Sequence, residues 1–266
     1  CPVVVHIRTK KGFGYTPAEN EPSKYHGTSS FDPQRGVEAE CEECFSTVAG
    51  KHLTALAEKD EKICAITAAM AQGTGLDIFE EAHPKRFFDV GIAEQHAVTF
   101  AAGLKKGGLK PYFAVYSSFL QRAYDQIIHD CAIDNLPVCF LVDRAGIVGE
   151  DGETHQGLFD VSFLTSIPNT EIYSPSHYEE LKYLIKKTST AKKITAIRYP
   201  RGCEKPIGES FDYKSDFTVL KGDSKKAIIT YGRLFSNAYD AKTFSPEINV
   251  IKLNKIFLVN NTKAKL

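Results

Sequence analysis

Residues 110–143 read KPYFAVYSSFLQRAYDQIIHDCAIDNLPVCFLVD. Two short apolar runs, 110–116 and 138–143, flank a segment of mixed character at 119–134. Within that segment Leu120, Ala123, Tyr124, Ile127, Ile128 and Cys131 recur close to the i, i+3, i+4 spacing of a helix face. A strand, a helix and a strand of these lengths make a βαβ unit, whose two strands lie parallel in one sheet.

The same alternation extends in both directions. Strands are expected at 2–7 (PVVVHI), 62–67, 86–90, 171–173 and 194–199, and helices at 38–57, 76–83, 94–104 and 178–187. The chain from Arg8 to Gly36 has no period of 2 or 3.6 and reads as a long functional loop or linker. The pattern predicts an α/β fold, a parallel sheet flanked by helices on both faces. Ligands bind such sheets at the carboxyl ends of the strands, so the segments after Val90, Val115, Val142 and Ile197 are expected along one edge. Residues 201–226 are loop-like, and 227–231 and 248–253 begin a second strand–helix set. The residues left after that loop, about 40, are too few for an independent α/β domain, which implies a partial second domain. Lys242–Pro246 reads poorly as the continuation of any helix, and Lys263 and Lys265 lie in a solvated tail.

Composition limits the function. The chain has 266 residues, 33 basic and 33 acidic, with 42% hydrophobic and 25% charged residues. That is the make-up of one large or two ordinary globular domains. A net charge of zero argues against a nucleic-acid or acidic-lipid surface, and no apolar run approaches membrane-spanning length. The seven cysteines are odd in number and irregular in spacing, a poor disulfide framework that suits a reducing compartment. Cys41 and Cys44 have C-x-x-C spacing, but neither a second metal-ligand pair nor a preceding strand accompanies them, so they read as structural.

Four strand-end segments carry candidate chemistry. In DVGIAEQH (89–96), Glu94 either favours a helix N-terminus through the macrodipole or is a carboxylate aimed into a cleft. In YSSFLQR (116–122), a serine could cap a helix and Phe119 could be core. DRAGIVGEDGETHQG (143–157) places five charged residues, four glycines and a histidine directly after a buried strand. Arg144, Asp151 and His155 there suit an anion or phosphate site, although no G-x-x-x-x-G-K loop is present. RYPRG (198–202) holds two arginines, one of which could be a routine ion pair. Arginines in both segments suggest a clamp on a phosphorylated small molecule.

Six blocks, TKKGFGYTPAE (9–19), KYHG (24–27), FFDVGIAEQHAVTFAAGL (87–104), YSSFLQRAYDQIIHD (116–130), DRAGIVGEDGETHQG (143–157) and RYPRG (198–202), together resemble the 1-deoxy-D-xylulose-5-phosphate synthases. These thiamin-diphosphate enzymes join pyruvate to glyceraldehyde 3-phosphate, the first step of non-mevalonate isoprenoid precursor synthesis. The resemblance runs from Cys1 to Gly202, about three-quarters of the chain. It implies that Glu94 hydrogen-bonds the aminopyrimidine N1′ of thiamin, that Phe119 stacks on that ring and that Tyr15 helps hold the cofactor. It implies that His26 and His155 handle protons at the reacting centre. Tyr116, Arg144 and Arg201 would grip the acceptor phosphate, with Asp151 and Arg122 supporting the pocket.

The resemblance also implies a domain plan: 1–36 the end of a diphosphate-binding domain with an active-site loop, 37–202 a pyrimidine-binding domain, 203–226 a linker and 227–266 a partial C-terminal domain. The family's Gly-Asp-Gly motif is absent, so Mg²⁺ ligands are expected on an upstream domain and none is assigned on this chain. A homodimer is implied, in the bacterial cytoplasm or a plastid-type organelle. Transketolases and 2-oxo-acid dehydrogenase β subunits are the alternatives within the fold; they lack the FLQRAYDQ and GEDGETHQG blocks in this form. A non-catalytic thiamin-fold dimerisation module is an alternative from another class. A flavodoxin-like nucleotide binder fits the alternation but lacks a glycine fingerprint.

Overall fold

A computed structural model describes residues 1–22, 24–26, 28, 30–37 and 43–256 of the chain. Gly27, Cys41, the first part of the expected 38–57 helix and the lysine tail lie outside the described residues. The chain divides into two units, Cys1–Glu42 and Glu43–Leu266.

In the first unit the described structure is one short helix, α1 (Thr16–Asn20), set among turns. The expected strand at 2–7 is not formed. Val3, Val4, Val5 and Ile7 are exposed, Val4 by 95%. A β-branched run becomes a strand only where another strand takes its backbone hydrogen bonds, and none of the described residues does so here.

The second unit begins with α2 (Phe45–Ala57), β1 (Ile63–Thr67), α3 (Asp77–Ala82), β2 (Phe87–Asp89), α4 (Glu94–Lys106) and β3 (Lys110–Tyr116). After β3 the expected single helix is broken into α5 (Ser117–Leu120), a 3₁₀ turn (Gln121–Ala123), α6 (Tyr124–Gln126) and a π-helical stretch (Ile127–Ala132). π segments recur at functional sites because the extra residue per turn re-aims a face. Then follow β4 (Cys139–Asp143), α7 (Asp160–Thr165), β5 (Thr170–Tyr173), α8 (Tyr178–Thr188) and β6 (Ile194–Arg198). The six strands form one fully parallel sheet in the order β2-β1-β3-β4-β6-β5.

Alternate residues of the central strands feed two cores. Phe113, Val115, Phe140 and Val142 pack with α4 residues Ala97, Val98 and Ala101 on one face. Tyr112, Ala114, Cys139 and Leu141 pack with Phe45 and Leu53 of α2 and Leu181 and Ile185 of α8 on the other. A sheet buried on both faces explains why these strands read as continuous apolar runs.

Part of the stretch expected to be linker is strand. β7 (Phe217–Leu220), β8 (Ala227–Thr230), α9 (Leu234–Phe244) and β9 (Asn249–Leu253) form a small mixed sheet in the order β7-β9-β8. β7 runs antiparallel to β9, and β8 parallel to it. α9 continues through Lys242, against expectation. The Lys242 Nζ donates to the carbonyls of Lys221, Pro246 and Ile248, so the charge serves the helix end. The small sheet meets α8 through a buried ion pair, Lys252 Nζ to Glu180 Oε1 at 2.6 Å. Cys203 is disulfide-bonded, which corrects the expectation from cysteine count. Among the described residues no helix is long and apolar enough to cross a membrane.

Arg198 is engaged by Asp160, Nε to Oδ2 at 2.7 Å and Nη2 to Oδ1 at 3.2 Å, with both side chains almost wholly buried. Asp160→Ala leaves an unpaired buried charge and is expected to cost about 3–5 kcal/mol, measured as a fall in urea midpoint. Burial pushes the His52 and His177 imidazoles down from their ordinary pKa. Their contribution to stability is therefore present at neutral pH and is lost as pH falls below about 6.5 through the lower folded values. His177→Asn is expected to flatten the decline in urea midpoint between about pH 7 and 5.

Candidate active site

Parallel strands bring β1, β2, β3 and β4 to the same edge, and the loops that leave them build one cleft wall. At the end of β2, the Asp89 Oδ1 accepts the N–H groups of Ala69 and Gly91, at 2.8 and 2.9 Å. This ties the loop after β1 to the turn after β2 and fixes the entry to α4. Ala69 pays for the tie with a left-handed backbone, φ 59°.

Glu94 is the first residue of α4 and is 1% exposed. Its Oε2 lies 3.3 Å from Arg122 Nη1, an ion pair whose geometry is not that of a hydrogen bond. The oxygen is thus buried with no hydrogen-bond partner. A buried carboxylate oxygen without a donor costs free energy unless another group supplies one.

Tyr116, Phe119 and His155 form an aromatic group. Tyr116 and Phe119 stack at 5.6 Å between centroids, and His155 sits edge-on to Phe119 at 5.1 Å and tilted to Tyr116 at 6.2 Å. Burial pushes the Tyr116 phenol up to about 12. The His155 Nδ1 is held 2.9 Å from Thr154 Oγ1. The loop carrying His155 is closed by Gly146 and Gly157, which exchange backbone hydrogen bonds of 2.7 and 2.8 Å.

Arg144 follows β4 in a left-handed conformation, φ 54°. Its guanidinium lies 4.0 Å above the Tyr116 ring, and its Nη1 donates to the Gly73 carbonyl and approaches Asp143 Oδ1 at 3.2 Å. Burial opposes its charge, but Asp143, Tyr116 and Asp151 outweigh that and raise its pKa. Asp151 bridges two arginines, with Oδ1 2.5 Å from Arg201 Nη1 and Oδ2 3.6 Å from Arg144 Nε.

Eight of the expected residues lie in the second unit in two groups: Glu94 with Arg122, and Tyr116 with Phe119, His155 and Arg144, the last joined through Asp151 to Arg201. Tyr15 and His26 lie in the first unit. There Tyr15 donates to the Pro33 carbonyl at 2.8 Å and packs on Tyr25 and Phe31, and His26 Nδ1 meets Lys11 Nζ. Of the two arginines in RYPRG, Arg198 is the routine ion pair. Sequence reasoning missed Asp143, Ser46 and Gly73, which surround Arg144. An aspartate ending an apolar run directly before an arginine was the available signal. Among the described residues no group of His, Cys, Asp and Glu is arranged to hold a metal ion.

A family model described as the transketolase pyrimidine-binding domain matches residues 45–204. A 1-deoxy-D-xylulose-5-phosphate synthase of Caldanaerobacter subterraneus subsp. tengcongensis is 54% identical over 247 residues, 90% of this chain and 39% of the relative. One from Clostridium perfringens strain SM101 is 48% identical over 266 residues, 97% of this chain and 43% of the relative. A solved split-gene transketolase, described as an inactive β4 tetramer, superimposes with a TM-score of 0.69 at 26% identity. That match covers 80% of this chain and 72% of the other. The chain thus spans about two-fifths of the length of the curated relatives it matches.

Gly73 is a close-approach position. A Cβ there would lie 1.9 Å from the Tyr116 Oη and 3.0 Å from Cζ. Gly73→Ala is expected to destabilise the protein by about 1–3 kcal/mol through overpacking. Adding Tyr116→Phe removes the oxygen and should recover part of that loss, read as a favourable coupling in a double-mutant cycle of urea midpoints.

Proposed function

This chain belongs to the transketolase pyrimidine-binding domain family, and we propose from that premise that it is the pyrimidine-side portion of a 1-deoxy-D-xylulose-5-phosphate synthase. The whole enzyme would decarboxylate pyruvate and join the two-carbon unit to glyceraldehyde 3-phosphate. Residues 37–202 would be the pyrimidine domain, with 203–226 leading to the partial C-terminal domain at 227–266. Thiamin diphosphate, when bound, supplies the electron sink for breaking and making the carbon–carbon bonds.

The observation that carries this reading is Glu94. Its buried Oε2 lacks a hydrogen-bond partner, so it fits a nitrogen donor such as the protonated N1′ of an aminopyrimidine. Holding a proton there is the role a dry carboxyl at a helix N-terminus can perform. Phe119, half-buried beside His155, offers a ring face for stacking. Tyr15, on the first-unit loop, would help hold the cofactor, and His26 and His155 would move protons at the substrate carbons and oxygens. Arg144 and Arg201, with Tyr116, would bind the acceptor phosphate, with Asp151 and Arg122 supporting the pocket.

The identities near 50% to named synthases support this substrate pair over transketolase donors. The Mg²⁺ and diphosphate ligands would come from a domain outside this chain, and the active form would be a homodimer. The bacterial relatives favour the cytoplasm over a plastid-type organelle.

The test uses the full-length protein. CO₂ release from pyruvate is expected to require thiamin diphosphate and to accelerate when glyceraldehyde 3-phosphate is added. Glu94→Gln should lower turnover by about 10²-fold or more, the range for loss of an acid–base group. Retained turnover in that variant removes the role given to Glu94. Preference for ketose-phosphate donors over pyruvate would make the protein a transketolase.

A further inference from the structure

Asp143 ends β4 and is completely buried. Its Oδ2 accepts the Ser46 Oγ–H at 2.7 Å, and its Oδ1 accepts the Arg144 N–H at 2.6 Å. The same Oδ1 lies 3.2 Å from Arg144 Nη1. Burial pushes this carboxyl up, while Arg144, Ser46 and the backbone N–H pull it back toward the ionised form. Three donors therefore converge on one carboxylate, two of them from Arg144 itself.

The consequence falls on the guanidinium. Nη1 is taken up by Asp143, the Gly73 carbonyl and, at 3.5 Å, Ser46 Oγ. The Tyr116 ring covers one face at 4.0 Å. Nε makes no hydrogen bond, with Asp151 Oδ2 beside it at 3.6 Å. Anchoring one nitrogen and one face sets the direction of the remaining guanidinium N–H groups, donors of the kind that bind an oxyanion. Arg144 also holds a left-handed φ of 54°, uncommon for a residue other than glycine.

We propose that Asp143 is a positioning residue: with Ser46 it fixes Nη1 of Arg144 and so orients the guanidinium for the phosphate of the acceptor substrate. This rests on the phosphate role given to Arg144 above. Ser46 stands in the first turn of α2 and Gly73 in the loop after β1. A helix turn and a loop far apart in sequence therefore set the angle of one arginine.

The experiment compares Asp143→Asn, Ser46→Ala and Arg144→Ala in the full-length enzyme, with glyceraldehyde 3-phosphate and with unphosphorylated glyceraldehyde as acceptors. Asp143→Asn is expected to raise KM for the phosphorylated acceptor about tenfold, with a much smaller change in KM for pyruvate. Its loss in kcat/KM should be several-fold smaller with glyceraldehyde. In an Arg144→Ala background it should add little, because its effect passes through that side chain. Ser46→Ala should shift the same KM in the same direction, and it decides the matter if Asp143→Asn does not fold. Equal losses with both acceptors, or additive losses with Arg144→Ala, overturn the inference. If Arg144→Ala itself shows no preference between acceptors, the phosphate role of Arg144 fails. If it does show that preference and neither Asp143→Asn nor Ser46→Ala does, only the positioning role fails.

Discussion

In a sheet whose strands all run parallel, the chain must return to the same starting edge after every strand, and each strand therefore delivers its outgoing loop to the opposite edge. Six strands paired in this way place the residues after β1, β2, β3 and β4 side by side, although Gly73, Glu94, Phe119 and Arg144 are far apart in sequence. The order β2-β1-β3-β4-β6-β5 puts the reversal of direction between β1 and β3, where neighbouring loops diverge and leave a crevice. Removing that constraint would leave the same side chains without a common site.

Burial on both faces is what holds the constraint in place. Phe113 and Phe140 lie on one side of the sheet and Tyr112 and Leu141 on the other, so neither central strand can slip without moving its whole apolar set to the wrong face. The polar groups inside this framework differ in how fully they are paired. Arg198 is satisfied by Asp160 and Ser174, and Lys252 by Glu180 and Asn254. Glu94 Oε2 and Arg144 Nε are buried or nearly so without hydrogen-bond partners. The paired charges hold the scaffold, while an atom such as Glu94 Oε2 is one that a ligand could complete.

Much of this was legible beforehand. The strand at 110–116 lies where its β-rich run predicts, and those at 62–67 and 194–199 differ by one residue at an end. The candidate residues along the carboxyl edge were visible because glycines, charges and aromatics cluster directly after apolar runs. The failures have a common cause. The run at 2–7 has strand propensity but no strand to pair with, and the 117–132 segment has helical periodicity but breaks into 3₁₀, α and π turns as it crosses the sheet edge. β7 lies in a stretch with little apolar period, since an edge strand of a small sheet buries only alternate residues.

The sequence by itself determined the fold class, the edge on which chemistry could reside and the candidates along it, because periodicity and loop composition are local properties of the chain. Only the tertiary structure decided what each charged residue does. RYPRG offers two equivalent arginines, yet Arg198 is buried against Asp160 while Arg201 reaches Asp151. Asp143 looked like the end of a strand and proved to hold Arg144 by its backbone and its guanidinium together. Whether a charge is spent on the scaffold or left for a ligand depends on which partners lie within about 3 Å, and those partners are brought from distant parts of the chain.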